Sequence, residues 1–304
     1  MNALAPMGAL YGAIGALRVA AYRRGLLRVA RLRGPVISVG NLTVGGSGKT
    51  PVVARVARIL LDAGLPVAIL SRGYRGSFAG ESLIVSDGRS VLADAEAAGD
   101  EPVMLARELS TAIVAVGPHR DVVGRAVEAA FGPRVHVLDD GFQHLRLARD
   151  LDILCVAAED LDDRPLPAGR LREFPSAWKR AGLVLASGGF HAGPAFATSR
   201  KPVGFFDLGG KPQPAPSRPW LVSGIARPER FHADVRSAAG ALSGADPFPD
   251  HHRFTAAEWA QVDTRAAAAS ASALVTTAKD AVRLRLESSQ PLAIRVTGVC
   301  DRCA

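Results

Sequence analysis

Residues 36–51 read VISVGNLTVGGSGKTP, and the reading of this stretch decides the fold. An apolar strand pattern runs into a glycine-rich turn, then Lys-Thr, then a helical pattern. A phosphate-binding loop is ordinarily Gly, four residues, then Gly-Lys-Ser/Thr. Here Thr43 stands where the first glycine belongs. Gly45, Gly46 and Gly48 still allow consecutive backbone N–H groups to turn inward around phosphate oxygens. Lys49 then reaches the β- and γ-phosphates, and the Thr50 hydroxyl is placed to bind Mg²⁺. A helix starting near Thr50-Pro51 points its positive end at the same anion, and proline is tolerated in a first turn. Gly40 supplies the sharp exit from the strand. The stretch Thr43, Val44, Gly45, Gly46, Ser47, Gly48, Lys49 and Thr50 is therefore read as a nucleotide phosphate site. The plainer reading is a turn that happens to end in Lys-Thr, and the company of strand, three glycines and helix argues against it.

Outward from the loop, apolar runs at 36–39, 67–70, 111–116, 135–138, 151–156 and 183–186 alternate with helical patterns at 50–63, 101–109 and 120–130. This alternation predicts an α/β fold of the P-loop NTPase kind, a mostly parallel sheet with helices on both faces. Residues 190–218 are rich in Gly, Pro and Ser and mark the crossing to a second, smaller α/β lobe. There the pattern predicts strands at 220–223, 273–276 and 292–296, with helices near 228–241 and 254–270. The expected division is 1–35 as an N-terminal helix, 36–205 as the nucleotide-binding domain and 206–304 as the lobe that closes the cleft.

The N-terminal segment has its own character. Residues 1–17 carry no charged side chain, and Arg18, Arg23, Arg24, Arg28, Arg31 and Arg33 follow. A secretory signal places its positive charge before the apolar run, not after it. A bilayer span needs roughly 20 apolar residues, and this run is shorter and broken by Pro6 and three glycines. Helical spacing puts Tyr11, Val19, Tyr22, Leu26 and Val29 on one face and Arg24, Arg28 and Arg31 opposite. An amphipathic helix lying in an anionic membrane interface fits this pattern. The alternative is a helix packed on the protein's own body.

The chain has 304 residues and a net charge of +8, and only five of its 37 basic residues are lysine. A basic balance favours an anionic partner, although the arginine bias itself is what a GC-rich genome produces. Three cysteines give no disulfide framework. Cys300 and Cys303 form a lone C-x-x-C without the second pair that a zinc site needs.

A P-loop needs an acidic partner for its magnesium at the end of a neighbouring strand. VHVLDDG (135–141) supplies Asp139 and Asp140, either of which can ligate the ion. Gly99-Asp100-Glu101-Pro102, read alone, is a helix N-cap with an acidic first turn.

The motifs GNLTVGGSGKTP, SRGYRG (71–76), GDEPVMLA (99–106), VLDDGFQHLRLARD (137–150), LPAGRLREF (166–174), SGIARPERF (223–231), FPDHHRF (248–254) and TTAKDAVRL (276–284) occur in that order. This combination resembles the tetraacyldisaccharide 4'-kinase family of Gram-negative bacteria, whose loop also lacks the first glycine. The motifs span most of the chain. The resemblance implies transfer of the ATP γ-phosphate, with Mg²⁺, to the 4'-hydroxyl of an acylated glucosamine disaccharide 1-phosphate in lipid A biosynthesis. It also implies a peripheral, monotopic enzyme at the cytoplasmic face of the inner membrane, with no obligate protein partner. By the same resemblance Asp100 is the base, working with His251 rather than His252. Arg172 neutralises phosphate charge and Glu173 joins the metal shell, although Phe174 stands where the family usually has proline. Lys279-Asp280 matches a Lys-Asp near the nucleotide, with Ala278 in place of the usual glutamate. Arg72 and Arg75, on a glycine-rich loop after the strand at 67–70, are candidates to meet the phosphate of either substrate, the alternative being a solvated loop. Gln143 and His144 are candidates for shaping the acceptor site, the alternative for His144 being an ordinary hydrogen-bonded histidine.

Two rivals come from other classes. A P-loop GTPase or metallochaperone needs a guanine-reading Asn-Lys-x-Asp, which the sequence lacks. A nucleic-acid ATPase needs aromatic stacking platforms, and only 6% of residues are aromatic.

Overall fold

The computed structural model describes residues 4–45, 48–188, 190, 192–284 and 292–299. Gly46 and Ser47 of the loop, and Cys300 and Cys303, lie outside them. The first sheet is built from β1 (Val36–Asn41), β2 (Val67–Ser71), β3 (Leu83–Asp87), β4 (Ile113–Val116), β5 (Val135–Asp139), β6 (Leu151–Ala157), β7 (Leu183–Ser187) and β8 (Phe196–Ala197). Their order is β3-β4-β2-β5-β1-β6-β7-β8. All neighbours are parallel except β3 and β4.

Alternation along each strand feeds two cores. Val67 and Ile69 of β2 enter one cluster with Val53 and Ala57 of α2 (Lys49–Asp62) and Val103 and Leu105 of α4 (Asp100–Glu108); the short α3 (Ala95–Ala98) precedes α4. Ala68 and Leu70 enter the other, with Val123 and Val127 of α5 (Arg120–Phe131). Both faces are covered, which is why the strands read as continuous apolar runs.

The second sheet comprises β9 (Arg200–Phe206), β10 (Pro212–Gln213), β11 (Pro219–Ser223), β12 (Gly244–Pro247), β13 (Ala273–Thr277) and β14 (Leu292–Val299), in the order β10-β9-β14-β13-β11-β12. Leu221 and Val275 pack with Phe231 and Val235 of α6 (Pro228–Ala239), whereas Val222 and Leu274 pack with Trp259 and Val262 of α7 (Ala256–Ala268). Because β9 pairs in this sheet, the second lobe's strands start at Arg200, ahead of the boundary expected at 205/206. The last helix of the described residues is α8 (Ala278–Ala281).

Helix α1 (Ala5–Arg23) is shorter than the amphipathic pattern implied. Gly25, at φ +74°, follows its cap, so Leu26, Val29, Arg28 and Arg31 do not lie on a helical face. The buried side of α1 is a glycine stripe. A Cβ on Gly8 would lie 2.7 Å from the Pro165 carbonyl oxygen, and one on Gly12 would lie 2.7 Å from the Phe174 ring. Only glycine lets the backbone come so close. Met7, Leu10, Ile14 and Leu17 are left on the outside, Leu17 with 71% of its surface exposed. No described helix is long and apolar enough to cross a membrane.

Candidate active site

The strand order creates the site. β1 lies between β5 and β6, and the register sets Val39 opposite Asp139. The P-loop leaves the carboxyl end of β1 beside the acidic pair at the end of β5, the edge where open α/β sheets bind ligands. The Gly141 N–H donates to the Val39 carbonyl at 3.0 Å. A Cβ on Gly40 would sit 2.6 Å from that of Phe142, so glycine at 40 lets the Asp139-Asp140-Gly141-Phe142 turn fold over the strand end.

The altered loop entry has a structural reason. Thr43 is buried, and its hydroxyl accepts a hydrogen bond from Asn41 Nδ2 at 2.9 Å. Residues 42–44 are laced to the segment 170–172: the Val44 N–H donates to the Arg170 carbonyl and the Arg172 N–H to the Leu42 carbonyl. The tight turns fall later, at Gly45 (φ +104°) and Gly48 (φ +74°), and α2 begins at Lys49. Residue 43 thus serves as a packed, hydrogen-bonded entry to the loop rather than as a bend.

Lys49 Nζ donates to Asn41 Oδ1 at 2.9 Å and lies 3.3 Å from Asp140 Oδ1. Arg172 Nη1 donates to Asp140 Oδ2 at 2.8 Å. Burial opposes the charge on Asp140, but Lys49 and Arg172 outweigh it and hold its carboxyl below the usual carboxylate range. Asp139 is pushed the other way, up to about 6, first by burial and then by the neighbouring charge of Asp140, even though Ser71 donates to it. One acid is thus held as an anion between two cations, and the other sits deeper with its proton affinity raised.

Glu173 is also spoken for. Arg180 grips it with two hydrogen bonds of 2.6 and 2.7 Å, stacks on Phe142, and shares it with Gln143 Nε2. Gln143 in turn touches Asn41 and Arg172. Among the described residues no three His, Cys, Asp or Glu side chains are grouped to hold a metal. Asp139, Asp140 and Glu173 are therefore neighbours of one network rather than a ready cage. Magnesium in phosphoryl-transfer sites uses one or two carboxylates, with phosphates and waters completing its shell. Asp140 Oδ1, ion-paired with Lys49 at 3.3 Å, is a hard oxygen suited to that ion.

Across the cleft, Asp100 opens α4 with 8% of its surface exposed. His251 Nδ1, from the second lobe, lies 2.8 Å from Asp100 Oδ2. His251 stands at φ +62°, and Asp140 at +57°. Both are non-glycine residues in the left-handed region, where held strain tends to mark function. His252 turns instead to Glu258 at 3.1 Å, so the structure brings His251, not His252, to Asp100. Burial, followed by the nearby Arg120, pushes His144 down to about 4, which leaves it neutral near pH 7. Arg120 itself is lowered to about 10, chiefly by burial, with Arg72 adding to the effect and Asp139 and Asp140 opposing it.

A P-loop edge facing a His–Asp pair formed between the two lobes finds close relatives among known proteins. The family model described as Tetraacyldisaccharide-1-P 4'-kinase matches residues 1–301. The chain belongs to this family. Tetraacyldisaccharide 4'-kinases of Anaeromyxobacter dehalogenans and Geobacter metallireducens are 42% and 43% identical to it, each over 92% of this chain and over 83% and 88% of their own lengths. The crystal structure of LpxK from Aquifex aeolicus in complex with ATP superposes with a TM-score of 0.84 at 32% identity, covering 98% of this chain and 93% of that one. The GTPase, metallochaperone and nucleic-acid ATPase readings are not favoured.

Within this 4'-kinase frame, motif reading found the loop, the acidic pair and the Asp100–His251 pair, and it overlooked the residues that hold them. Asn41 was visible only as part of GNLT, and Arg283 only as the end of TTAKDAVRL. Ser71 was visible only as the start of SRGYRG, and Arg180 carried no signal, because their roles arise from contacts across the sheet and across the 142–180 segment.

Proposed function

We propose that this kinase uses Asp100, oriented by His251, as the base for the 4'-hydroxyl of an acylated glucosamine disaccharide 1-phosphate. The observation that carries the reading is the 2.8 Å contact from one lobe to the other between these two side chains. Phosphoryl transfer is mostly positioning and charge neutralisation. Lys49 and the backbone of residues 43–50 bind the nucleotide's phosphates. Arg172, already paired with Asp140, offsets negative charge as the γ-phosphoryl moves. Thr50, Asp139 and Asp140 would hold Mg²⁺, with Glu173 behind them, and the ion would neutralise charge on the phosphate oxygens. As the hydroxyl oxygen bonds to the γ-phosphorus and the bond to ADP breaks, the hydroxyl proton passes to Asp100.

The chain works on this reading as three parts, an N-terminal segment over 1–35 that contains α1, a nucleotide-binding domain and a closing lobe. Helix α1 runs beside the segment that carries Arg172 and Glu173, with Gly15 4.0 Å from each by an added Cβ. Its exposed Met7, Leu10, Ile14 and Leu17 lie on a monotopic anchor at the cytoplasmic face of the inner membrane, and the following arginines meet anionic head groups. A lipid acceptor need not leave the bilayer to reach the site. The test is to incubate purified protein with Mg-ATP and the tetraacylated disaccharide 1-phosphate in mixed micelles. A bisphosphorylated lipid by mass spectrometry supports the reading; ATP turnover without a phosphorylated lipid overturns it.

A further inference from the structure

The charged groups facing His251 are Asp100 from α4, Lys279 from α8 and Asp250 from its own loop, with Glu101 and Arg283 one contact further out. His251 Nδ1 lies 2.8 Å from Asp100 Oδ2, and its Nε2 lies 3.1 Å from Lys279 Nζ and 3.7 Å from Asp250 Oδ2. Lys279 is itself held by Glu101 at 3.5 Å and Asp250 at 3.8 Å. An ammonium group only donates, and a neutral imidazole has one N–H and one lone pair. With Lys279 donating to Nε2, the lone pair sits there and the ring proton sits on Nδ1. That N–H donates to the Asp100 carboxylate.

Asp100 Oδ2 is thereby fully engaged, because Arg283 Nε also lies 3.3 Å from it. Arg283 is fixed in turn by the buried Asp280 at 2.6 Å and by the Gly224 and His252 carbonyls. Among the described residues no side chain engages Oδ1. We propose that Lys279 is a positioning residue for phosphoryl transfer: it fixes His251 in the neutral Nδ1–H tautomer, so that Oδ2 of Asp100 is anchored and Oδ1 receives the proton of the acceptor hydroxyl. In this arrangement the imidazole orients the base and does not itself take the proton. Asp100, once protonated, returns the proton to water after the phosphorylated product departs.

The inference rests on the Asp100–His251 reading, and its test separates the two. The ring nitrogens of His251 in the full-length, ¹⁵N-labelled protein are observed by long-range ¹H–¹⁵N correlation, with His251→Gln identifying the signals. Wild type is expected to show the Nδ1–H tautomer. Lys279→Met is expected to shift it toward Nε2–H and to lower kcat by about 10–100-fold, by analogy with the loss when a partner that orients a metal-ligating histidine is removed, with KM for ATP within about 2-fold. Lys279→Arg, which keeps a cationic donor, is expected to restore most of both. An unchanged tautomer in Lys279→Met overturns the inference, and so does a rise in KM for ATP with kcat intact, which would place Lys279 on the nucleotide. Wild-type kcat in Asp100→Ala would instead overturn the reading of Asp100 as base, whatever the tautomer.

Discussion

His251 Nδ1 meets Asp100 Oδ2 at 2.8 Å although the two residues are 151 positions apart and belong to different lobes. The contact is built at both ends. Asp100 sits where α4 begins, after Gly99 at φ +89°, and a Cβ on Gly99 would lie 2.6 Å from the Tyr74 carbonyl oxygen. His251 is held in the left-handed region by its N–H bond to the Gly224 carbonyl. On the proposed function, a pair made across the cleft would couple closure of the second lobe to assembly of the base, as closing motions commit a substrate.

The grip of Asn41 on Lys49 gives a graded expectation. Lys49→Ala removes the charge on the phosphates and should lower kcat by at least about 10²–10³-fold. Asn41→Ala removes only its orienting acceptor, and a hydrogen bond to a charged group contributes about 1.5–3 kcal/mol, so the loss should be smaller. Steady-state rates checked against unchanged melting temperatures test the ranking, and equal losses would mean that Asn41 does more than orient Lys49.

Asp140 is the anion at the P-loop proposed to hold Mg²⁺. Chelation by EDTA should abolish transfer, and Asp140→Asn should raise the Mg²⁺ concentration needed for half-maximal rate. A Mg²⁺ titration of both proteins measures this. An unshifted titration in Asp140→Asn assigns the ion to Asp139 alone.

The glycine stripe of α1 separates docking from membrane contact. Gly12→Leu pushes a side chain into the Phe174 ring and should cost about 1–3 kcal/mol, as overpacking does. Leu17→Gln, on the exposed side, should change stability by less than about 0.5 kcal/mol yet weaken binding to anionic vesicles. Denaturation and vesicle sedimentation of the two variants check this, and normal sedimentation of Leu17→Gln would make α1 a structural helix only.

Helix α7 carries a pH signature. Glu258 is pulled down to about 2, first by the backbone N–H of Thr255, then by its hydroxyl and by His252. A carboxyl lowered in the folded state adds stability that is complete above its unfolded value near 4.5 and is lost as pH falls from there toward 2. The melting-temperature gap between wild type and Glu258→Ala should therefore narrow from pH 5 to pH 2. A gap that does not change with pH would show that the carboxylate is not the source.

Much of this was legible from the sequence because the physics was local. Central strands buried on both faces announce themselves as apolar runs, and the P-loop, the acidic pair and GDEP are contiguous. What escaped was set by tertiary contact. β12 is Gly-Ala-Asp-Pro, poor in strand formers, and is held as an edge by pairing with β11. β3 is short, antiparallel and next to a glycine-rich loop. The helical wheel ranked α1 by side-chain hydrophobicity, whereas burial follows the residues with no side chain at all. Ser71 reaches Asp139 on another strand and Arg180 joins Glu173 to the Phe142 turn, contacts that spacing alone does not reveal.

The measurement that bears most directly on the Asp100–His251 unit is a kinetic double-mutant cycle with ATP affinity measured in parallel by calorimetry. Asp100→Ala should lower kcat by about 10²–10⁴, the range for a positioned base, and leave Mg-ATP affinity roughly intact. His251→Ala should lose less, and the double variant should be little worse than Asp100→Ala, because residues that act as one unit are not additive. Additive losses would mean that the two side chains act separately, and a collapse of ATP binding in Asp100→Ala would contradict its role on the acceptor hydroxyl.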